Sequence, residues 1–349
     1  MENNLIEEFS NISSKLVKSY QTLNQVGAVD IATTPKTPVY NEDKLTLYHY
    51  DRETEPTYKT PVLIVYALIN TYKMLDIQPD RSYIKNLLDA GLDIYLIDWG
   101  YPTKGDQFIS MDDYVNGYIN TCVDFVRKKN RVEKINILSI CQGGTLSVIY
   151  SSLYPNKIKN LVTHVTPIDF STNDGLLFRW SKDMDFDKLV DGNHGLIPGK
   201  FLNDGFDMLK PMMKVQKQHA LTSSLDDKDK LLNFLRMEKW ISESPDQTGE
   251  CFRQFMKDLY QQNKLIKGQL ELGGKKVNLK NLTAPLLNIY AEQDHLVPPA
   301  ATIPLNDYVG STDKELYKFS GGHIGVFVGS KSQKELAPAV TAWLKKRDK

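Results

Sequence analysis

Ile135-Asn136-Ile137-Leu138-Ser139-Ile140-Cys141-Gln142-Gly143-Gly144-Thr145 runs from an apolar strand straight into a helix, with a cysteine at the junction. A strand, a sharp turn and a helix with a nucleophilic side chain at the bend form a nucleophile elbow, usually written G-x-S-x-G. The bend leaves little room around the nucleophile, so small residues are needed two positions either side of it. Here they are Ser139 and Gly143. The helix that begins after Cys141 directs free N–H groups and the positive end of its dipole at the sulfur, which stabilises negative charge there.

The flanking sequence alternates strand and helix patterns. Lys44 to Tyr50 alternates as a half-buried strand, while Pro61 to Tyr66 and Leu92 to Asp98 are continuous apolar runs of the kind central parallel strands show. Helical spacing covers Ser82 to Ala90, Met111 to Lys129 and Gly143 to Tyr154, with strands expected at Lys134 to Ile140 and Leu161 to Thr166. Strict alternation predicts an α/β fold, a mostly parallel central sheet with helices on both faces. The alternation stops near Phe170 and resumes with strands at Pro285 to Tyr290 and Glu315 to Phe319, then a closing helix from Gln333 to Lys346. Residues 171–283 therefore read as an inserted cap on a core of 39–170 plus 284–349. Before that core, residues 1–38 read as an amphipathic helix over 5–23 and a linker broken by Pro35 and Pro38.

Composition narrows the function. Of 349 residues 41% are apolar and 25% charged, with 43 Lys plus Arg against 43 Asp plus Glu, so the chain folds and carries no global charge suited to nucleic acid. Three cysteines, Cys122, Cys141 and Cys251, form neither a disulfide framework nor a zinc pattern. Cys122 falls on the apolar stripe of its helix and reads as core. The longest apolar run, Val62 to Ile69, is far short of the roughly 20 residues needed to span a bilayer, and the N-terminus does not resemble a signal peptide. A cytoplasmic protein without a transmembrane segment is expected.

A thiol nucleophile needs a base and an orienting acid, which in this topology follow in the order nucleophile, acid, histidine at the ends of later strands. Asp294 lies in Ala291-Glu292-Gln293-Asp294-His295-Leu296-Val297-Pro298, and His323 in Ser320-Gly321-Gly322-His323-Ile324-Gly325. His295 competes for the role of base, but it directly follows the acid and comes too early in the chain order. The backbone N–H of Gln142 supplies one oxyanion donor, and an N–H beyond the third strand, that of Ile69, the other. Trp99, Tyr72 and Asn70, near strand ends on the same edge, either line the pocket or pack beneath the loops. A cysteine rather than a serine favours acyl transfer from a thioester, because exchange between thioesters keeps the acyl group activated whereas an oxygen ester is a sink.

At these residues the chain resembles polyhydroxyalkanoate synthases, specifically the catalytic subunit of the short, class III type. The resemblance is carried by Ser139 to Gly144, Ile69 to Pro79, Asp98-Trp99-Gly100, Asp112-Asp113-Tyr114, Pro198 to Asn203 and Gly321-Gly322-His323. The separations of 153 residues from Cys141 to Asp294 and 29 from Asp294 to His323 add to it. The departure is Ser139, where the family box G-x-C-x-G has its first glycine.

The resemblance implies an α/β-hydrolase fold and an acyltransferase that polymerises short-chain (R)-3-hydroxyacyl-CoA through a Cys141 thioester. CoA enters as part of the substrate and leaves as product; no separate cofactor or metal is implied. His323 would deprotonate Cys141. Asp294 would either orient His323 or activate the attacking 3-hydroxyl. A non-catalytic companion subunit, attachment to cytoplasmic polymer granules and a homodimer are also implied. The competing readings are a cysteine hydrolase of the dienelactone hydrolase or polyester depolymerase type, and a non-catalytic granule-coating protein anchored by its N-terminal helix.

Overall fold

A computed structural model describes residues 17–348, save 23, 53, 210, 211 and 226. The helix expected over 5–23 thus lies mostly outside the described residues; 17–22 and 24–26 are helical. Eight strands form the main sheet: β1 (Lys36–Glu42), β2 (Leu45–Tyr50), β3 (Val62–Val65), β4 (Ile94–Asp98), β5 (Ile135–Ile140), β6 (Ile158–His164), β7 (Leu286–Ala291) and β8 (Lys314–Phe319). Their spatial order is β1-β2-β4-β3-β5-β6-β7-β8. All neighbours from β4 to β8 are parallel, while β2 runs antiparallel to both β1 and β4.

The strands expected from periodicity are all present. The strand β1 was not expected: it begins within the stretch read as a linker, because Pro35 and Pro38 suggested a break. Pro38 is tolerated because β1 is the outermost strand, where a missing N–H costs no ladder bond, and the register shifts just after it.

The central strands are apolar along their whole length because both faces are covered. All six residues of β5 are buried. Alternate side chains feed separate cores: Leu63, Val65, Tyr95, Ile97 and Ile137 join one, whereas Val62, Ile64, Ile94, Leu96, Leu138 and Ile140 join the other. Each such side chain contributes about 1.5–3 kcal/mol on burial.

Helices α1 (Tyr83–Asp89), α2 (Asn120–Asn130), α3 (Gln142–Leu153) and α6 (Ala337–Lys345) alternate with the strands, and α4 (Gly199–Leu209) and α5 (Lys228–Ser242) lie between β6 and β7, with shorter ones between. Ser82 caps α1 by accepting the Lys85 N–H at 2.9 Å. The helix expected from Met111 enters α2 through a π-helical stretch, Asp113–Ile119, and the closing helix does the same over Ser332–Leu336 before Pro338, which has no N–H to give.

Between β6 and β7 the chain leaves the sheet and runs through helices, one short hairpin (Glu271–Leu272 with Lys275–Lys276) and a two-residue pairing of Leu196–Ile197 with Gln247–Thr248. Phe178, Phe186, Phe252, Phe255 and Tyr260 of this segment belong to the same apolar cluster as β5, so the segment shares the sheet's core. Phe178 and Tyr260 pack against Phe170 with ring centroids 6.1 and 4.7 Å away.

Candidate active site

Cys141 sits between β5 and α3 with φ 51° and ψ −123°, a left-handed backbone that costs a non-glycine residue about 1–3 kcal/mol. Hydrogen bonds on both sides hold it there. Its N–H donates to the His164 carbonyl at 2.9 Å, and its own carbonyl accepts from the N–H groups of Gly144 and Thr145 at 2.9 and 3.2 Å. A Cβ on Gly143 would lie 2.3 Å from the Tyr66 carbonyl oxygen, and one on Gly144 would lie 1.9 Å from Thr166 Oγ1. Neither position has room for a side chain. Ser139, fully buried, fits because its hydroxyl donates across the sheet to the Val162 carbonyl at 3.1 Å.

Asp294 and His323 arrive from loops at the carboxyl ends of β7 and β8. His323 Nδ1–H donates to Asp294 Oδ2 at 2.6 Å, and the other carboxylate oxygen accepts the N–H groups of Leu296 and Val297 at 2.9 Å each. The Cys141 side chain lies close enough to the imidazole to act on its charge. Burial, the largest influence on His323, pulls its pKa down, yet the Asp294 and Cys141 charges and hydrogen bonds together hold it well above the usual imidazole range. Three residues separated widely in sequence thus meet, the carboxylate bonded to the imidazole and the imidazole beside the sulfur. His323 is the imidazole bonded to the Asp294 carboxylate.

The other two thiols differ. Cys122 and Cys251 are buried, and burial pushes both well above the ordinary thiol range. Cys141 is partly exposed.

The loop after β3 lies beside the elbow. Tyr66 accepts the Trp99 indole N–H at 2.9 Å, Leu68 N–H donates to the side-chain oxygen of Gln142 at 3.2 Å, and the Asn70 side-chain oxygen accepts the Ser244 hydroxyl. Trp99 therefore braces this loop from beneath, its ring edge-on to Tyr114 at 5.3 Å. Asn70, at φ 60°, ties the loop to the inserted segment. Tyr72 packs elsewhere, in the second core, 6.1 Å from the Tyr48 ring and 5.7 Å from Lys36 Nζ.

Two neighbours of Cys141 escaped the sequence reading. Tyr66 and Tyr260 are buried phenols whose pKa burial raises, with the Cys141 charge raising both further and that of Asp294 also acting on Tyr260. Tyr66 ends an apolar run and reads as core; Tyr260 belongs to the insertion and reaches the site through tertiary packing alone. Among the described residues no group of three metal-ligating side chains is present, and no helix is long and apolar enough to cross a membrane.

Comparison with known proteins agrees with this architecture. The model of the alpha/beta hydrolase fold matches residues 60–330, and that of the Poly-beta-hydroxybutyrate polymerase (PhaC) N-terminus matches 2–87. A monoacylglycerol lipase from Paleococcus ferrophilus has TM-score 0.54 at 15% identity, over 86% of this chain and 99% of its own. An esterase from Thermogutta terrifontis has TM-score 0.53 at 14% identity, over 91% and 100%. The fold is that of the α/β-hydrolases. Within that class, the poly(3-hydroxyalkanoate) polymerase subunit PhaC of Thiocystis violacea is 52% identical over 98% of this chain and 97% of its own. Its counterparts from Allochromatium vinosum and Synechocystis are 51% and 47% identical, over 98% and 99% of this chain and 97% and 94% of their own. The chain belongs to the poly(3-hydroxyalkanoate) polymerase family and is an enzyme of its class III type.

Proposed function

We propose that this chain polymerises short-chain (R)-3-hydroxyacyl-CoA, 3-hydroxybutyryl-CoA above all, through a covalent thioester on Cys141. The observation that carries this reading is the Cys141, His323 and Asp294 chain, built on a cysteine elbow in a polymerase family.

In the proposed first step His323 takes the Cys141 proton as the sulfur attacks the thioester carbonyl. The tetrahedral intermediate collapses by breaking the carbon–sulfur bond to CoA. CoA leaves with the proton from His323, and the acyl group stays on Cys141. The 3-hydroxyl of another hydroxyacyl unit then attacks this enzyme thioester, an ester bond forms as the bond to Cys141 breaks, and the hydroxyl proton returns through His323 to the sulfur. Both oxygens of Asp294 are already hydrogen-bonded, which favours its orienting His323 over activating the hydroxyl.

The N–H of Gln142, in the first turn of α3, is one proposed oxyanion donor. The Leu68 N–H already has an acceptor, and the Ile69 N–H is proposed as the second donor. The segment 171–283 is proposed as a cap whose aromatic side chains, Tyr260 among them, close the site from water. A companion subunit, a homodimer and a place on cytoplasmic polymer granules complete the proposal; the relatives' designation as subunits supports the first.

The decisive experiment follows CoA thiol release from (R)-3-hydroxybutyryl-CoA, with and without the companion subunit, and weighs insoluble polymer at the end. Polymer that forms with wild type and vanishes with Cys141→Ala is expected. Free hydroxybutyrate without polymer, companion present, would make the enzyme a hydrolase.

A further inference from the structure

Gln142 joins the helix of the elbow to the loop after β3. Its backbone opens α3, and its side chain reaches across to accept the Leu68 N–H at 3.2 Å in a buried setting. Gln142 is 5% exposed and Leu68 6%, so water does not offer an alternative partner. On either side of Leu68 the loop is fastened from outside α3, through the Tyr66 carbonyl to Trp99 and through Asn70 to Ser244. The helix and the loop approach so closely that Gly143 has no space for a Cβ against the Tyr66 and Val65 carbonyls.

We infer that the Gln142 side chain is a positioning residue for acyl transfer at Cys141. Its amide oxygen takes the Leu68 N–H and thereby sets the turn of the loop that offers its next N–H, that of Ile69, to the charge developing on a thioester oxygen. The inference rests on the reading that Cys141 is acylated.

A buried N–H without an acceptor is costly, so removal of the Gln142 oxygen makes the Leu68 peptide rotate toward another partner. Rotation of that peptide carries Ile69 with it. Oxyanion donors work when fixed in advance at hydrogen-bond distance from where charge will form, and small displacements are expensive in rate. One residue therefore supplies a donor through its backbone and holds the other donor's loop through its side chain.

The test compares two reactions of the same sulfur. Acylation by (R)-3-hydroxybutyryl-CoA develops an oxyanion. Alkylation by iodoacetamide does not: sulfur displaces iodide, a carbon–sulfur bond forms as the carbon–iodine bond breaks, and the thiol proton passes to His323.

Gln142→Met, of similar length without a strong acceptor, should lower CoA release about 10- to 100-fold in kcat with KM little changed. Its Cys141 alkylation rate should stay within about twofold of wild type, since no donor to an oxyanion is used. Gln142→Glu keeps the acceptor, so its CoA release relative to wild type should be highest at low pH and fall as the carboxyl ionises beside the developing charge. Equal loss of both reactions in Gln142→Met would mean general damage to the site and overturn the inference. Unchanged acyl transfer would overturn it too, and a gain would show that the side chain blocks the site. A wild type that alkylates on Cys141 yet releases no CoA would overturn the acyl-transfer reading and this inference with it.

Discussion

Cys141 and His164 are joined at the end of the sheet: the Cys141 N–H donates to the His164 carbonyl at 2.9 Å, placing a fully buried imidazole beside the elbow. His164 Nδ1 faces the Ser139 carbonyl at 3.3 Å and Nε2 meets the Tyr83 hydroxyl at 2.9 Å. Burial, partly countered by the Ser139 carbonyl, lowers its pKa to about 4.

This pairing makes stability depend on pH. Unfolded, His164 binds a proton near its ordinary 6.5, whereas folded it stays neutral down to about 4, so stability falls as pH drops through that window. The loss amounts to roughly 3 kcal/mol once both states are protonated. His323, whose folded pKa is raised, acts with the opposite sign, its stabilisation being lost as pH rises above 6.5. Denaturant unfolding of wild type and His164→Met at pH 7.5 and 4.5 separates the two. The variant should lose less stability on acidification, and parallel curves would count against a neutral buried His164.

Asp294→Asn removes the larger of the two charges that hold His323 up. With burial opposed by Cys141 alone, the His323 titration followed by NMR should move to lower pH than in wild type. CoA release should fall about 10²- to 10⁴-fold, as for loss of an acid–base partner. An unshifted titration would place the stabilising charge elsewhere.

Native thiol labelling should find one reactive cysteine. Cys122 and Cys251 are 0% and 1% exposed with thiols pushed up by burial, and Cys141 is partly open. Mass spectrometry after brief iodoacetamide treatment should show a single adduct, on Cys141, and three after denaturation.

The elbow's small residues should tolerate change unequally. Ser139→Gly restores the family's usual residue and forfeits one hydroxyl bond, costing about 1 kcal/mol with activity kept. Gly143→Ala drives a Cβ into the Tyr66 and Val65 carbonyls, which are backbone and cannot step aside. A lowered melting temperature together with loss of turnover is expected for Gly143→Ala, and retention of both would contradict the packing.

The parallel strands and the three candidate catalytic residues were legible because each obeys a local rule. The β5 strand is apolar throughout, Cys141 sits between small residues, and Asp294 and His323 follow strand ends in a fixed order. The strand β1 was not legible, since Pro38 breaks a strand except at an edge and being at an edge is a tertiary fact. Nor were Tyr260 and the Gln142 to Leu68 bond, which depend on how segments far apart in the chain meet. His164 gave no signal beyond its place in an apolar strand.

The segment between β6 and β7 separates Cys141 from Asp294 and His323 in time as well as in sequence. Roughly 180 residues divide Cys141 from His323, about 10–40 s of ribosomal synthesis at ordinary elongation rates. During that interval the nascent chain can form β3 through β6 and the elbow, but its thiol has neither imidazole nor carboxylate beside it. The strands β7 and β8 that bring Asp294 and His323 are also the last two at their end of the sheet. The three side chains therefore meet only after β8 has been made, and a ribosome stalled inside the insertion would hold the elbow cysteine without its two partners.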